Sequence, residues 1–161
     1  MTRGRMILLL AFTLLPVLTV HGCAGDGSAL VDDVFEDEPQ CPPDDLGGAP
    51  TLGDVQQQVF DPLCVFCHQE GGFGPFSLEE GQSFGSLVNV PSVCDIPSCQ
   101  GQPMVIPCHP DDSYLVWKIE ADPRIEGVPM PFGTPGLADA VGNGQELIDL
   151  VRAWIEAGAL P

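Results

Sequence analysis

The five consecutive residues Cys64-Val65-Phe66-Cys67-His68 constrain this chain more than any other part of its sequence. Two cysteines separated by two residues present their thiols along one edge of a bound group, and the histidine that follows projects its imidazole toward the centre of that group. With seven cysteines and three histidines in 161 residues, a chance occurrence of this spacing is improbable. The motif therefore predicts a fold built around a flat prosthetic group.

C-x-x-C-H is the attachment sequence of c-type haem. On this interpretation the thiols of Cys64 and Cys67 add to the two vinyl groups of one porphyrin and form thioethers, while His68 ligates the iron. The predicted cofactor is one covalently attached haem c per chain. Covalent attachment would prevent loss of the group outside the cytosol.

Three other interpretations of the motif remain open. A thioredoxin-like C-x-x-C site requires a βαβ setting, which the sequence does not show. A zinc site requires a second pair of ligands, which the cysteines and the histidine of residues 94–109 would have to supply. The third interpretation is a plain disulfide between Cys64 and Cys67, with His68 on the surface.

Residues 1–22 have the pattern of a secretory signal peptide. Arg3 and Arg5 precede an apolar run over 6–20, which is too short to span a bilayer as a stable helix. Small residues follow the run, as a cleavage site requires. The alternatives are a transmembrane anchor and a buried core helix.

The segment Val20-His21-Gly22-Cys23 resembles the lipobox of bacterial lipoproteins, although histidine at its middle position is unusual. The resemblance implies that Cys23 is acylated and becomes the N-terminus of the mature chain. Ala24, where Asp would imply retention in the inner membrane, implies a lipid anchor in the outer membrane, on the periplasmic or the external face of this part of the cell envelope. Ordinary secretion, with Cys23 as a plain thiol, is the alternative.

Acidic residues dominate the chain that remains after removal of the signal. Residues 23–50 combine eight Asp or Glu with several Pro and Gly, so we expect an extended tether there. Three basic residues against 23 acidic ones give a net charge of −20. This charge excludes nucleic acid as a partner and would steer a basic redox-partner protein, although plain solubility explains it equally well.

Four cysteines lie outside the motif and the lipobox, namely Cys41, Cys94, Cys99 and Cys108. An even number of spare cysteines in an oxidising compartment predicts two disulfides. Four cysteines allow three pairings, and the sequence leaves all three open. A disulfide from Cys41 would attach the end of the tether to the domain.

Residues 51–161 predict a small all-α domain of about four short helices joined by long irregular loops. The helical segments are one opened by a capping box at Thr51 and Asp54, one from Ser77 to Val88, one from Asp112 to Glu120, and one through Leu147 and Ile155 that ends at Gly158. A core of this size would gain stability from a haem and two disulfides.

The sixth iron ligand would come from Met104, His109 or Met130. We favour Met130 because the flanking prolines, Pro129 and Pro131, stiffen its loop. A methionine in a loop is also a common filler of apolar cores. An iron left open on this side would indicate a peroxidase or a gas sensor.

From about Thr51 to Pro161 the chain resembles the cytochrome c domains of planctomycete-type and myxobacterial secreted proteins. The matching segments are 64–68, 86–92, 110–118, Met130-Pro131 and 148–159. The resemblance implies an all-α cytochrome c fold and a methionine as distal ligand. By resemblance to class I cytochromes c, the Pro75 carbonyl would accept the Nδ1 hydrogen bond of His68, the alternative being a plain loop proline. The 94–108 segment and the strong acidity depart from the family pattern.

Together these features predict a single-haem electron carrier of the cell envelope, with His68 and Met130 as axial ligands, and not an enzyme. With both iron positions filled, the site would have no room for a substrate. A haem peroxidase or sensor with an open distal side, and a non-haem interaction module on the same scaffold, are the alternatives. Six aromatic residues are candidate pocket walls or ordinary core: Phe66, Phe73, Phe76, Trp117, Phe132 and Trp154.

Overall fold

A computed structural model of the chain describes Cys41 and residues 47–161. The predicted signal peptide, the predicted acylation site Cys23 and most of the predicted tether lie outside these residues. The regular structure of the described part consists of six α-helices, one π-helical turn and one 3₁₀ turn, and it contains no β-strand beyond two isolated bridges. No helix in this part is long and apolar enough to cross a bilayer. The expectation of a helical domain with long loops is confirmed at this level.

The first helical stretch leads directly into the Cys64–His68 motif. It consists of α1 (Leu52–Val55), a π-helical turn (Gln56–Phe60) and α2 (Asp61–Leu63). The predicted capping box is present, because Asp54 N donates to Thr51 Oγ1 at 3.3 Å and Thr51 N donates to Asp54 Oδ2 at 2.7 Å. Pro62 lies in the first turn of α2, where its missing N–H is tolerated.

The second helix, α3 (Ser83–Leu87), begins later than the capping pattern at Ser77 predicted. Ser77 Oγ donates to the Glu79 carboxylate at 2.9 Å and accepts from Glu79 N at 3.2 Å, which closes a local turn. Such side-chain bonds to nearby backbone compete with helix formation. The segment therefore stays irregular, and Leu78 N bonds the His68 carbonyl oxygen at 2.7 Å.

Buried Gln56 fastens the first helical stretch to this irregular segment. Its Nε2 donates to the Leu78 carbonyl oxygen at 2.9 Å, and its Oε1 accepts from Ser83 Oγ at 2.7 Å. Both ends of a buried amide are thus satisfied, as burial of a polar group requires. The result is a fixed position for the loop that follows the motif.

The C-terminal half of the domain supplies most of the core. Its elements are a 3₁₀ turn (Pro110–Asp112), α4 (Tyr114–Glu120), α5 (Leu137–Ala140) and α6 (Gly144–Glu156). Helix α6 packs against α1, α4 and α5, and its side chains Val151, Trp154 and Ile155 are fully buried. The predicted stop at Gly158 is confirmed: its φ is +99°, and Ala159 N donates to the Trp154 carbonyl oxygen at 2.9 Å.

The four spare cysteines form two disulfides, Cys41–Cys108 and Cys94–Cys99. The number agrees with the prediction, and the structure selects one of the three pairings. Cys41–Cys108 closes a loop of 67 residues, for which chain entropy gives about 4 kcal/mol of stabilisation. Because Cys108 N donates to the Ile155 carbonyl oxygen at 2.7 Å, this disulfide joins Cys41 to the end of α6.

Candidate functional site

The Cys64–His68 motif forms a tight turn at the end of α2. Cys67 N and His68 N both donate to the Cys64 carbonyl oxygen, at 3.1 and 3.0 Å. Cys64 and Cys67 are free thiols, half-buried, one turn apart. Burial raises the pKa of Cys64 to about 12, and the neighbouring Cys67 adds to the rise. Neither sulfur is in a disulfide, and both lie on the same turn.

The imidazole of His68 is held on two sides. Its Nδ1 lies 3.3 Å from the Phe76 carbonyl oxygen, and its ring centroid lies 4.7 Å from that of Phe76. A methyl group on Gly74 would lie only 2.3 Å from Nδ1, so the backbone at this position packs directly against the ring. Only glycine leaves room for the imidazole here.

The Nδ1 contact also sets the chemistry of the ring. A carbonyl oxygen only accepts, so Nδ1 carries the proton of the neutral imidazole and Nε2 keeps its lone pair. Burial lowers the pKa of His68, the bond to Phe76 opposes this shift, and the charge of Lys118 adds to it. The neutral tautomer with Nε2 available is the form that ligates a metal.

The sequence predicted the carbonyl of Pro75 as the hydrogen-bond partner of His68. The structure corrects this prediction to the carbonyl of the next residue, Phe76. Gly74 N donates to the Cys67 carbonyl oxygen at 2.7 Å, which turns the chain back over the motif. As a result the carbonyl of Phe76, rather than that of Pro75, lies within hydrogen-bond distance of Nδ1. Pro75 itself lines the cavity described next.

A cavity of about 820 Å³ lies beside the motif. Its volume is in the range of about 300–1,000 Å³ that is typical of small-molecule and cofactor sites. The walls are mainly apolar, and they include the predicted groups Cys64, Cys67, His68 and Met130. Residues 66 positions apart in the sequence thus meet around one space.

Four of the six candidate aromatic walls line this cavity, namely Phe66, Phe73, Phe76 and Phe132. Phe66, Phe73 and Phe132 are 78%, 91% and 76% exposed, so a large apolar surface lies open at the cavity. Exposed apolar patches of this kind mark binding sites. The two tryptophans belong instead to the core, with Trp117 Nε1 donating to the Asp111 carbonyl oxygen and Trp154 Nε1 to that of Leu160.

Of the three candidate distal ligands, Met104 and Met130 line the cavity and His109 does not. Met104 is 5% exposed and lies in the core, while Met130 is half-buried in its proline-flanked loop. His109 lies beside the 3₁₀ turn, where its carbonyl oxygen accepts from Ser113 Oγ at 2.8 Å. The structure therefore brings one histidine and two methionines to the same space.

Three polar residues of the cavity, Tyr114, Lys118 and Glu126, were not predicted from the sequence. Tyr114 and Lys118 lie four residues apart on α4, so they share one face of the helix. Burial lowers the pKa of Lys118, and the carboxylate of Glu126 acts in the opposite direction. No sequence signal distinguished them, because a tyrosine and a lysine on an amphipathic helix are ordinary surface residues.

The zinc interpretation loses its ligands in this structure. Cys94, Cys99 and Cys108 are engaged in disulfides. Within residues 47–161 and Cys41, no group of three or more His, Cys, Asp or Glu side chains is arranged to hold a metal ion.

A scan against protein-family models, and searches of curated proteins and of solved structures, find no match for this chain.

Proposed function

We propose that this protein is a single-haem c-type cytochrome that carries one electron at a time at the cell envelope. The observation that carries the proposal is the presence of four groups in one apolar cavity: the thiols of Cys64 and Cys67, the imidazole of His68 and the thioether of Met130. Two thiols for covalent attachment, one nitrogen and one thioether form the donor set of a haem with His/Met ligation.

Three properties of the cavity fit a haem. Its volume of about 820 Å³ suits a cofactor of this size class. Its open apolar side chains, Phe66, Phe73 and Phe132, would be covered by a flat apolar ring. The Nδ1 bond of His68 to Phe76 leaves Nε2 as the donor atom, which is how proximal histidines are commonly oriented.

When bound, the haem supplies an iron that changes its charge by one electron. Cys64 and Cys67 would hold the group covalently, and His68 and Met130 would ligate its iron. A thioether opposite histidine favours the reduced iron and so raises the reduction potential. With an iron ligated by both side chains, the site would leave no ligand position for a substrate, which supports an electron carrier and not an enzyme.

The setting belongs to the same proposal. Residues 51–161 would form a cytochrome c-like domain, which the tether over residues 23–50 connects to an acylated Cys23 in the outer membrane, on its periplasmic or external face. Among the described residues, every basic side chain is engaged within the domain: Lys118 with backbone carbonyls, Arg124 with Asp122, and Arg152 with Asp111 and Glu120. The remaining charge is acidic, which supports a basic redox partner.

Expression of the chain with a c-type maturation system tests the proposal. We expect a Soret band and a haem stain that survives denaturing electrophoresis, both absent in the Cys64→Ser, Cys67→Ser double variant. A chain without either signal after maturation would refute the cytochrome. A high-spin ferric spectrum would favour the peroxidase or sensor alternative, since it indicates an open axial position.

The anchor has its own test. A Cys23→Ser variant of the matured chain should appear in the soluble fraction, whereas the natural sequence should fractionate with membranes. If the variant remains with the membrane fraction, Cys23 is not the anchor. The haem proposal for residues 51–161 does not depend on this result.

A further inference from the structure

Lys118 contacts the loop that carries Met130 through both its side chain and its backbone. Its Nζ donates to the carbonyl oxygens of Glu126 and Val128, at 3.0 and 2.7 Å. In return, Met130 N donates to the Lys118 carbonyl oxygen at 2.8 Å. Three hydrogen bonds between one helical residue and a five-residue loop define where that loop lies.

Helix α4, which carries Lys118, is held in place by its packing. On α4 the side chains Val116, Trp117 and Ile119 are buried, and the helix packs against α5 and α6. Tyr114, one turn before Lys118, adds a fourth contact, because its hydroxyl oxygen accepts from Glu126 N at 3.3 Å. The loop is therefore attached to a packed element and not to another loop, as precise positioning of a ligand requires.

The charge of Lys118 is unusual among the basic residues that the structure describes. Arg124 and Arg152 form ion pairs with carboxylates at 2.8 and 3.1 Å. Lys118 bonds only neutral carbonyls, and the carboxylate of Glu126 instead accepts from Asp95 N at 2.7 Å. The positive charge of Lys118 therefore lies in the wall of the cavity without an ion pair, while the Glu126 carboxylate, which interacts with it at longer range, lines the same cavity.

We propose that Lys118 is the positioning residue for Met130. It holds the loop over 126–130 so that the Met130 thioether stays in the cavity, and its charge favours the reduced state of the bound group. This inference rests on the proposed cytochrome function, and specifically on Met130 as an axial ligand. It adds a residue that acts through the loop and does not itself contact the iron.

The test compares four matured proteins: the natural sequence, Lys118→Met, Lys118→Arg and Arg152→Met. Lys118→Met keeps an unbranched side chain, one atom shorter, but removes its donors and its charge. Lys118→Arg keeps the donors and the charge. Arg152→Met is the matched control, because it removes one positive charge from an ion pair on α6 that does not line the cavity. The readouts are the long-wavelength charge-transfer band of thioether-ligated ferric haem, the reduction potential, and hydrogen exchange of the Met130 amide.

We expect Lys118→Met to retain covalent haem but to lose more than about half of the charge-transfer band. Its Met130 amide should exchange at least about tenfold faster, since the loop loses its fastening, and its potential should fall. Lys118→Arg should restore the band and the slow exchange, and Arg152→Met should match the natural sequence. A merely structural role would lower stability without moving the band.

An unchanged band and unchanged exchange in Lys118→Met would overturn the inference while leaving the cytochrome proposal intact. If the natural sequence itself lacks haem or the band, the proposed function or its Met130 ligand fails first, and the inference fails with it. Should Lys118→Met not fold, Lys118→Ala replaces it, because alanine also removes the donors and the charge and has a high helix propensity on α4. The same two readouts then decide, and an unchanged band and unchanged exchange would again overturn the inference.

Discussion

The carbonyl oxygen of Phe76 lies 3.3 Å from Nδ1 of His68, eight residues earlier in the chain. This contact assigns the proton of the neutral ring to Nδ1 and leaves Nε2 as the donor atom. It is possible only because Gly74, between the two, has no side chain to displace the imidazole. The orientation of the proposed iron ligand His68 thus depends on the backbone conformation of residues 68–76 alone.

Gly74→Ala should therefore disturb the site. The added methyl group would lie 2.3 Å from Nδ1 of His68, and relieving such an overlap costs about 1–3 kcal/mol. We expect a lower unfolding free energy and a smaller fraction of low-spin haem, measured by urea titration and by absorption spectroscopy. Gly85→Ala on α3 is the control, because a methyl group there meets nothing within 4 Å. Equal behaviour of the two variants would contradict the prediction.

Substitution of the two methionines should separate ligation from packing. Met130→Ala should abolish the charge-transfer band and lower the reduction potential, because it removes the proposed thioether ligand. Met104→Ala should keep the band and lower the unfolding free energy by about 2–5 kcal/mol, because Met104 is 5% exposed and its loss leaves a cavity in the core. Loss of the band in Met104→Ala and its retention in Met130→Ala would show that Met104 is the ligand.

The two disulfides should contribute unequally to stability. Replacement of Cys41 and Cys108 by serine opens a loop of 67 residues and should cost about 4 kcal/mol, whereas replacement of Cys94 and Cys99 opens a loop of 5 residues and should cost about 2 kcal/mol. Urea unfolding of the two double variants measures the difference. Equal losses would show that loop entropy does not govern these bonds.

The thiol of Cys64 should react slowly in the folded, haem-free chain. Burial raises its pKa to about 12, with a smaller contribution from Cys67, so the reactive thiolate is scarce near neutral pH. In a chain with Cys23→Ser and Cys67→Ser, alkylation at pH 8 should be more than about tenfold slower than in urea, where the thiol titrates near its ordinary value of about 8.5. The folded-state rate should keep rising with pH beyond 9.

The direction of the pH effect on folding stability follows from the raised pKa of Cys64. Below the unfolded-state value the thiol is protonated in both states, so stability is unaffected there. As pH rises through that value the unfolded state loses its proton and the folded state keeps it, so the folded chain becomes less stable. Equal alkylation rates in the folded and the urea-unfolded chain would contradict the burial of this sulfur.

Some parts of the fold follow from local sequence. The cap at Thr51 and the stop at Gly158 were predicted correctly, because capping depends on residues within one or two turns. The start of α3 was predicted wrongly for a related reason. Ser77 and Glu79 satisfy each other in a turn, and the same residue types that cap a helix also close such turns.

The sequence by itself determined the elements of the site that are contiguous. Cys64, Cys67 and His68 lie within five consecutive residues, so the sequence alone shows that these groups are neighbours. The even number of spare cysteines likewise predicted two disulfides. Local patterning also predicted the helical character of the domain, which the structure confirms, while the acidic tether stays a prediction.

Only the tertiary structure decided which distant groups meet. It selected Cys41–Cys108 over two other pairings, moved the partner of His68 from Pro75 to Phe76, and placed Lys118 against the loop of Met130. These choices depend on distances across tens of residues and on the exact path of a loop, for which side-chain chemistry carries no signal. A hydrogen bond to a carbonyl is available at every residue, and only the folded backbone determines which carbonyl is near.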